Sequence, residues 1–261
     1  MTWDFAEVNI FSQSSGSYHN LFTRMIKGFS ALGVSSQNSI ISQQDATNVN
    51  YPNETVISTD PPYYDNIAYA DLSDFFFTWM RRGMTTVFPE LFGVLATPKA
   101  DELVATSYRH GGKDKAEKFF LDGMRQALAG MALESSSAFP TTIYYAFKQS
   151  EVAKEGVSST GWATFIQAVI EAGYSVLGTW PMRTEKPGRM VSVGTNALAN
   201  SVVLVCRKRE TTAEVITRAE FIRALKRELP PAITDLQAAN IAPADMPQSA
   251  IGPGMGVFSR Y

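Results

Sequence analysis

Nine residues in the first quarter of the chain decide how the rest is interpreted: Ser58-Thr59-Asp60-Pro61-Pro62-Tyr63-Tyr64-Asp65-Asn66. The run before them, residues 54–58 (ETVIS), is rich in β-branched residues and predicts a strand. The run after them, residues 69–79, is aromatic with helical spacing. Because proline has no backbone N–H and fixes its own φ, the two prolines end the strand in a stiff turn. An acid, two prolines and two tyrosines therefore stand at the end of a strand, where ligand sites form in open α/β sheets.

Composition describes a globular protein rather than a disordered one. The chain has 261 residues, of which 45% are hydrophobic and 11% aromatic, enough for one sizeable α/β domain with or without an appendage. The formal net charge is −2 and the pI is about 5.8. Any contact with nucleic acid must therefore come from local basic patches.

Several classes of protein are excluded by what the sequence lacks. No apolar stretch approaches the ~20 residues of a membrane helix, and the N-terminus has no basic signal region, so we expect a cytoplasmic protein with no membrane contact. The one cysteine, Cys206, allows neither a disulfide framework nor a cysteine zinc site, and its apolar neighbours predict a buried strand residue. Neither His19 nor His110 has the spacing of a metal ligand, so we expect no metal.

Hydrophobic periodicity predicts alternating helices and strands. The predicted helices are 18–32, 70–82, 113–131 and 158–172, and the predicted strands are 39–42, 56–59, 141–147, 174–180 and 201–206. This order predicts an α/β fold with a mostly parallel sheet. The last two strands have no helix between them, which favours an antiparallel pair at one edge. In the helix 70–82, Asp71, Ser73 or Asp74 is the expected cap, and the aromatic residues are expected in the core.

The composition shifts at Thr211, which divides the chain into residues 1–210 and a helical C-terminal appendage, residues 211–261. A charged helix from Arg218 is expected to end at Pro230-Pro231, and a glycine-rich tail around Gly252-Pro253-Gly254 follows.

The nine-residue run also carries a resemblance. Asp60-Pro61-Pro62-Tyr63 after a strand resembles motif IV of the amino-group DNA methyltransferases, which methylate adenine N6 or cytosine N4. Residues 60–82 (DPPYYDNIAYADLSDFFFTWMRR) resemble the large adenine-specific DNA methylase-like family named for a zinc ribbon. The similarity continues through residues 178–185, 194–207 and 240–261, so it covers nearly the whole chain.

The resemblance implies roles for the motif in adenine methylation. Asp60, with the carbonyl of Pro61 beside it and Pro62 stiffening the turn, would accept hydrogen bonds from the exocyclic amine. This draws the amine nitrogen toward tetrahedral geometry, so that its lone pair can attack a sulfonium methyl. Tyr63 would stack on a base that has left the duplex, which is worth roughly 1–3 kcal/mol. A proline-rich turn with a capping aspartate is the alternative interpretation.

Further contacts are expected around the motif. Asp45-Ala46 resembles the cofactor-binding Asp-Ala that follows the third strand of such folds, and with Asp60 it would contact S-adenosyl-L-methionine; alternatively Asp45 is a turn residue. We expect the target base or the DNA backbone to contact side chains of the motif loop and of the basic loop 108–115. These residues are Tyr63, Tyr64, Asn66, Tyr69, Arg109 and Lys113. The alternative interpretation of the basic loop is a solvated segment that leads into a helix.

Two features of the resembled family are missing from these 261 residues. There is no zinc ribbon, and no glycine-rich turn follows a strand upstream of Asp60 to hold the cofactor. We therefore expect a Rossmann-like methyltransferase sheet that is incomplete at its N-terminal side, with an antiparallel last strand. The expected function is an S-adenosylmethionine-dependent N6-adenine DNA methyltransferase, or the catalytic half of one completed by an upstream partner chain. Cytosine N4 methylation and a truncated, non-catalytic fragment or subunit that binds DNA or a partner chain are the alternatives.

Overall fold

The structure is a computed structural model that describes residues 9, 11–14, 16–33, 39–65, 67–145, 160–183, 200–210, 212–239 and 246–261. The chain divides into two compact units, residues 1–43 and residues 44–261, and each is described by itself. The first unit contains one helix, α1 (Tyr18–Ala31). The second unit contains all the other helices and strands that the structure describes. They are, in chain order, β1 (Ser58–Thr59), α2 (Tyr69–Met84), α3 (Pro89–Phe92), α4 (Ser107–His110), α5 (Lys113–Glu134), β2 (Thr141–Tyr145), α6 (Thr160–Glu171), β3 (Tyr174–Arg183), β4 (Asn200–Lys208), α7 (Arg218–Ala238) and α8 (Met246–Phe258).

Residues 39–42 do not form the strand that was predicted from their β-branched residues. Ile40 and Ile41 are 92% and 96% exposed, and this segment has no regular secondary structure. The prediction is wrong because two isoleucines favour extended backbone, whereas a strand also needs a neighbour for its main-chain groups.

The four strands form one mixed sheet in the order β1-β2-β4-β3. β1 and β2 are parallel, with Ser58 opposite Thr142, whereas β4 is antiparallel to both β2 and β3. The α/β class and the antiparallel pair at one edge are therefore confirmed. The prediction of a mostly parallel sheet is wrong, because β4 lies between β2 and β3 and makes two of the three strand pairings antiparallel.

The core of the second unit forms where α5 and α6 pack together against the sheet. Phe120 and Leu128 of α5, Phe165 of α6 and Leu204 of β4 are each at most 2% exposed. Burying such a side chain stabilises the fold by about 1.5–3 kcal/mol. Cys206 belongs to the same core, as predicted, and burial raises the pKa of its thiol to about 12.

Helix α8 covers the outer edge of β3 and contains the glycine-rich tail of the predicted helical appendage. The Ser259 hydroxyl, just after this helix, accepts a hydrogen bond from the Val176 N–H (2.8 Å) and donates one to the Val176 carbonyl (3.3 Å). A Cβ on Gly252 would lie 2.0 Å from the Thr179 hydroxyl oxygen, so glycine is needed for this close approach. The glycines that suggested a loop are therefore what allows the helix to contact the strand.

Helix α7 continues through Pro230-Pro231 to Ala238, so the predicted end of this helix is wrong. Its start is fixed by a capping box between Thr217 and Glu220. The helix packs on α8, with the rings of Phe221 and Phe258 edge to face at 5.5 Å. The helix continues past both prolines, although each of them removes one main-chain hydrogen bond.

Candidate functional site

The predicted motif lies between β1 and α2, at the carboxyl end of a parallel strand. Asp60 follows β1 directly and is exposed, whereas Pro61, Pro62 and Tyr63 are half-buried. The expected strand–turn–helix context is therefore present, with α2 beginning at Tyr69.

Tyr63 and Asp60 form a direct pair within this loop. The Tyr63 hydroxyl donates a hydrogen bond to Oδ1 of Asp60 at 2.9 Å. One edge of the Tyr63 ring meets Tyr145 of β2, with centroids 5.2 Å apart. Tyr145 is itself buried and stacked on Phe165 at 3.9 Å. The core therefore fixes the ring of Tyr63, and the ring in turn holds the exposed carboxylate of Asp60.

Tyr64 is a core residue, although a substrate contact was predicted for it. Its ring packs edge-on against Phe120 at 5.3 Å, and its carbonyl accepts a hydrogen bond from the Ala105 N–H. Its backbone has φ 46°, in the left-handed region that non-glycine residues seldom adopt. A Cβ on Gly161 would lie 2.7 Å from the Tyr64 ring, so this glycine makes room for it. The ring of Tyr64 is therefore directed into the core, and the substrate contact predicted for this residue stays a prediction.

Tyr69 remains close to the motif. It is the first residue of α2 and is partly exposed. Burial raises the pKa of its hydroxyl, and the carboxylates of Asp60 and Glu102 raise it further. The hydroxyl therefore stays protonated at neutral pH and can donate a hydrogen bond. Asn66, the other predicted loop contact, lies outside the described residues.

Glu102, rather than an acid of α2 itself, caps the start of α2. Its Oε1 accepts a hydrogen bond from the Ala70 N–H at 2.9 Å. The expected cap at Asp71, Ser73 or Asp74 is wrong, because these residues lie inside the helix, whose N-cap position is Ala68. This hydrogen bond connects the segment that contains Glu102 to the start of α2, where the motif loop ends.

Arg109 joins Glu102 to α2. Its guanidinium bonds Oε2 of Glu102 at 2.5 Å and Oδ2 of Asp71 at 2.7 Å. The Tyr108 hydroxyl also donates to Asp71 at 2.5 Å, and this bond, followed by those from Arg109, lowers the pKa of Asp71. The Arg109 side chain is only 10% exposed, so the expectation of an exposed loop cation is wrong for this residue. The Arg109 guanidinium is engaged by two carboxylates and is therefore poorly placed to bind a phosphate group. Its role in the structure is to join Glu102 to Asp71.

Lys113 is exposed at the first position of α5, and its contact with DNA phosphate stays a prediction. The neighbouring His110 stacks on Phe119, with centroids 4.0 Å apart, and belongs to the junction between α4 and α5.

Asp45 and Ala46 lie in an exposed turn. Oδ1 of Asp45 accepts hydrogen bonds from the Thr47 N–H (2.9 Å) and the Thr47 hydroxyl (2.8 Å), and these two bonds lower its pKa. The carbonyl of Thr47 accepts a bond from Gln126, which ties the turn to α5. The geometry is that of a turn-capping aspartate, and the cofactor contact predicted for Asp45-Ala46 stays a prediction.

The aromatic face of α2 is exposed, contrary to the core role predicted for it. Phe77 stacks on Phe92 of α3 and is the half-buried member of the group. The side chains that share the exposed face lie three or four residues apart; they are Leu72, Phe75, Phe76, Trp79 and Met80. The prediction is wrong because helical spacing defines one face but does not tell which other element of the fold covers it.

Two residues of the site were missed by the sequence interpretation. Glu102 lies in an irregular segment 32 residues after Ala70, and nothing in its local pattern indicates a cap. Tyr145 had a usable signal, since it lies two residues after Ile143 in the predicted strand, and period-two alternation places both side chains on one face. The structure shows that this face is buried.

Within the parts of the chain that the structure describes, no cluster of three or more His, Cys, Asp or Glu side chains can hold a metal ion. Among the same residues, no helix is long and apolar enough to cross a membrane.

No family model, no curated protein and no solved structure matches this chain. The resemblance to amino-group DNA methyltransferases therefore rests on the motifs in the sequence.

Proposed function

We propose that this chain is an S-adenosylmethionine-dependent N6-adenine DNA methyltransferase, or the catalytic half of one. The observation that carries the proposal is the position of Asp60-Pro61-Pro62-Tyr63 at the carboxyl end of β1, with the Tyr63 hydroxyl bonded to Asp60. The sheet order β1-β2-β4-β3, with β4 antiparallel to both neighbours, is compatible with the C-terminal half of a Rossmann-like methyltransferase sheet.

In this proposal the motif binds the target amine and the base together. Tyr63 bonds Oδ1 of Asp60, which leaves Oδ2 for the exocyclic amine. The carbonyl of Pro61 is the second acceptor. A base stacked on the Tyr63 ring lies parallel to it, so its amine and the tyrosine hydroxyl reach the same carboxylate from neighbouring planes. Both acceptors favour the amine geometry in which the lone pair is directed at an electrophilic methyl group.

S-adenosylmethionine would supply that methyl group, but the residues of this chain fit only part of the cofactor. Asp45 offers an exposed carboxylate, whose Oδ1 accepts hydrogen bonds from Thr47 and whose Oδ2 accepts a longer one from Asn48 (3.4 Å). The glycine-rich turn that would let backbone approach the methionine end does not occur in these 261 residues. We therefore infer that the isolated chain binds the cofactor weakly and needs a partner for full binding.

Within the enzyme class, adenine N6 and cytosine N4 present the same kind of amine to Asp60. The longer run 60–82 favours adenine, because its resemblance is to an adenine-specific family. DNA is the proposed macromolecular substrate, and Lys113 is an exposed cation of the predicted basic loop.

Methyl transfer from labelled S-adenosylmethionine to unmethylated DNA tests the proposal directly. It should be measured with the chain alone and with the polypeptide encoded immediately upstream. We expect Asp60→Ala to lower transfer by at least about 100-fold, the lower end of the effect of a positioned catalytic group. Asp65→Asn, which changes a second exposed acid of the same loop, is the matched control. Unchanged transfer by a folded Asp60→Ala variant would refute the assignment.

A non-catalytic subunit is the second candidate. Two observations favour it. The Asp45 carboxylate accepts hydrogen bonds within its own turn, and no glycine-rich cofactor turn occurs in these 261 residues. Absence of transfer both with and without the upstream polypeptide would favour it.

A further inference from the structure

The first turn of α2 is held by a segment that follows it in the chain. Residues 97–109, hereafter the 97–109 segment, run from beyond α3 into α4. The Ala70 N–H donates to Oε1 of Glu102 at 2.9 Å, and the Ala70 carbonyl lies 2.6 Å from the Thr97 hydroxyl. The first N–H groups of a helix have no acceptor within the helix. The 97–109 segment therefore supplies partners for both main-chain groups of one residue at the start of α2.

The same segment also fastens the motif loop. The Ala105 N–H donates to the Tyr64 carbonyl at 2.9 Å. Ala105 lies three residues after Glu102, so the two points of attachment are at most about 11 Å apart along the segment. Leu103 between them lies against α5, where a Cβ on Gly123 would come 2.3 Å from one of its methyl carbons. The end of the motif and the start of α2 are thus fastened to one short stretch that is itself packed on the core helix.

Tyr69 stands directly before the residue that Glu102 bonds. Its side chain is 41% exposed. The carboxylates of Asp60 and Glu102 both raise the pKa of the Tyr69 hydroxyl, after the larger effect of burial, so this hydroxyl lies within electrostatic reach of both acids. A change in the position of Ala70 would therefore move Tyr69 relative to Asp60.

Arg109 determines the direction of the Glu102 carboxylate. The Glu102 and Arg109 side chains are only 14% and 10% exposed. Arg109 bonds Oε2 of Glu102, and the other oxygen, Oε1, is directed to the Ala70 N–H. A largely buried ion pair adds little net stability compared with apolar side chains of the same volume, whereas loss of one partner leaves a buried charge uncompensated. The arrangement supplies a fixed direction for one acceptor rather than a large gain in stability.

We propose that Glu102, held by Arg109, is a positioning residue for methyl transfer. By bonding the Ala70 N–H, it sets the place of Tyr69 beside Asp60 and so the shape of the opening that receives the target base. The inference rests on the proposed function, since it names a residue that acts on the proposed base site through Tyr69.

Methyl transfer compares two variants that lose the same charge. Glu102→Ala removes the acceptor of the Ala70 N–H, and we expect it to lower kcat/KM for DNA by about 10- to 100-fold, since small errors of position have effects of this size. Glu102→Gln keeps an oxygen acceptor and should stay within about three-fold of the natural protein. The KM for S-adenosylmethionine should change in neither variant. Asp74→Asn, which breaks the ion pair of Lys99 in the same segment with α2, is the matched control and should transfer normally.

Nuclear magnetic resonance of ring-labelled tyrosines follows the position of Tyr69 without any activity. In Glu102→Ala the Tyr69 signals should move toward those of a fully exposed tyrosine, whereas in Glu102→Gln they should stay near their natural place. Because both variants lack the charge, a difference between them reports position. Arg109→Gln should release Glu102, and hence should shift the Tyr69 signals and speed amide hydrogen exchange at Ala70.

Three results would overturn the positioning role: Glu102→Gln as impaired as Glu102→Ala, an equal loss of transfer in Asp74→Asn, or unmoved Tyr69 signals in folded Glu102→Ala and Arg109→Gln. Failure of the proposed function has a different signature. If the natural chain transfers no methyl group, the enzyme is removed, and the Tyr69 signals decide by themselves whether Glu102 fixes this residue.

Discussion

Two adjacent tyrosines of the motif differ because of one backbone dihedral angle. Tyr63 stays half-buried beside Asp60, whereas Tyr64, with φ 46°, directs its ring to Phe120 in the core. The position of these residues between a strand and a helix could be predicted from the sequence, because a β-branched run precedes them and helical spacing follows them. The division of work between the two tyrosines could not, because it depends on the space beside Gly161, about 100 residues away. Tyr64 thus anchors the loop in the core, whereas Tyr63 stays at the loop surface beside Asp60.

Gly161→Ala tests this anchor. In a helix this change usually stabilises by up to about 1 kcal/mol. Here the added methyl would lie 2.7 Å from the Tyr64 ring, so we expect a net loss of about 1–3 kcal/mol, as for other overpacked cores. Urea unfolding measures the change. The matched control is Gly130→Ala in α5, where no atom lies within 4 Å and a gain is expected. Equal gains in both variants would show that Gly161 makes no room for Tyr64.

At the scale of elements, the sequence predicted those helices and strands that are determined by their own residues. α5, β2 and β4 were predicted close to their observed bounds, because periodicity and β-branched runs are properties of the segment itself. The predicted end of α7 and the core role predicted for the aromatic face of α2 were wrong, because packing partners decide them, and the bounds of α8 were not predicted within the helical appendage. Glycines in α8 face β3, and the prolines of α7 are tolerated beside α8. Glu102 shows the same limit for the site, since a cap supplied by another segment leaves no local signal.

The connection after α3 also fixes α2, through a pH-dependent ion pair. Lys99 bonds Oδ2 of Asp74 at 2.6 Å, and the Thr97 N–H bonds Oδ1 at 2.8 Å. The bond from Lys99 and then those from Thr97 lower the pKa of Asp74 from 3.8 to about 2. A carboxyl whose folded pKa is depressed stabilises the fold above its unfolded pKa, and this contribution is lost as the pH falls to the folded value.

Asp74→Asn should therefore be less stable than the natural protein at pH 6, and the difference should shrink between pH 4 and pH 2. Asparagine keeps an acceptor for Thr97 but loses the ion pair with Lys99. Denaturant unfolding across this pH range measures the difference, with the exposed Asp101→Asn as the control. A difference that stays constant or widens on acidification would contradict the assigned pKa.

At the scale of the whole molecule, the described residues cover the β3 edge of the sheet with α8 and pair β1 with β2 alone. The sequence predicted the antiparallel pair at one edge and a sheet that is incomplete on its N-terminal side. It did not predict that α8 covers β3, because Ser259 and Val176 are far apart in the chain and neither belongs to a recognisable motif.

Ser259→Ala tests the covered edge. The substitution leaves the N–H and the carbonyl of Val176 without their side-chain partner, so we expect a loss of about 1–3 kcal/mol in the free energy of unfolding. Thermal unfolding and light scattering on dilution from urea measure stability and aggregation together. Ser73→Ala, at an exposed position of α2, should change neither. If Ser259→Ala matches that control, the edge is covered by the bulk of α8 and not by its hydrogen bonds.

The distance along the chain between β3 and its cover also has a consequence for synthesis. The contact between Val176 and Ser259 spans 83 residues, and a ribosome adds about 5–20 residues per second. A nascent chain therefore spends roughly 4–17 s with β3 made and α8 still unmade. For those seconds the edge of β3 that α8 later covers is exposed, and another strand can pair with it. A pause in translation between β3 and α8 would lengthen this window of mispairing, whereas fast translation through the segment would favour correct assembly.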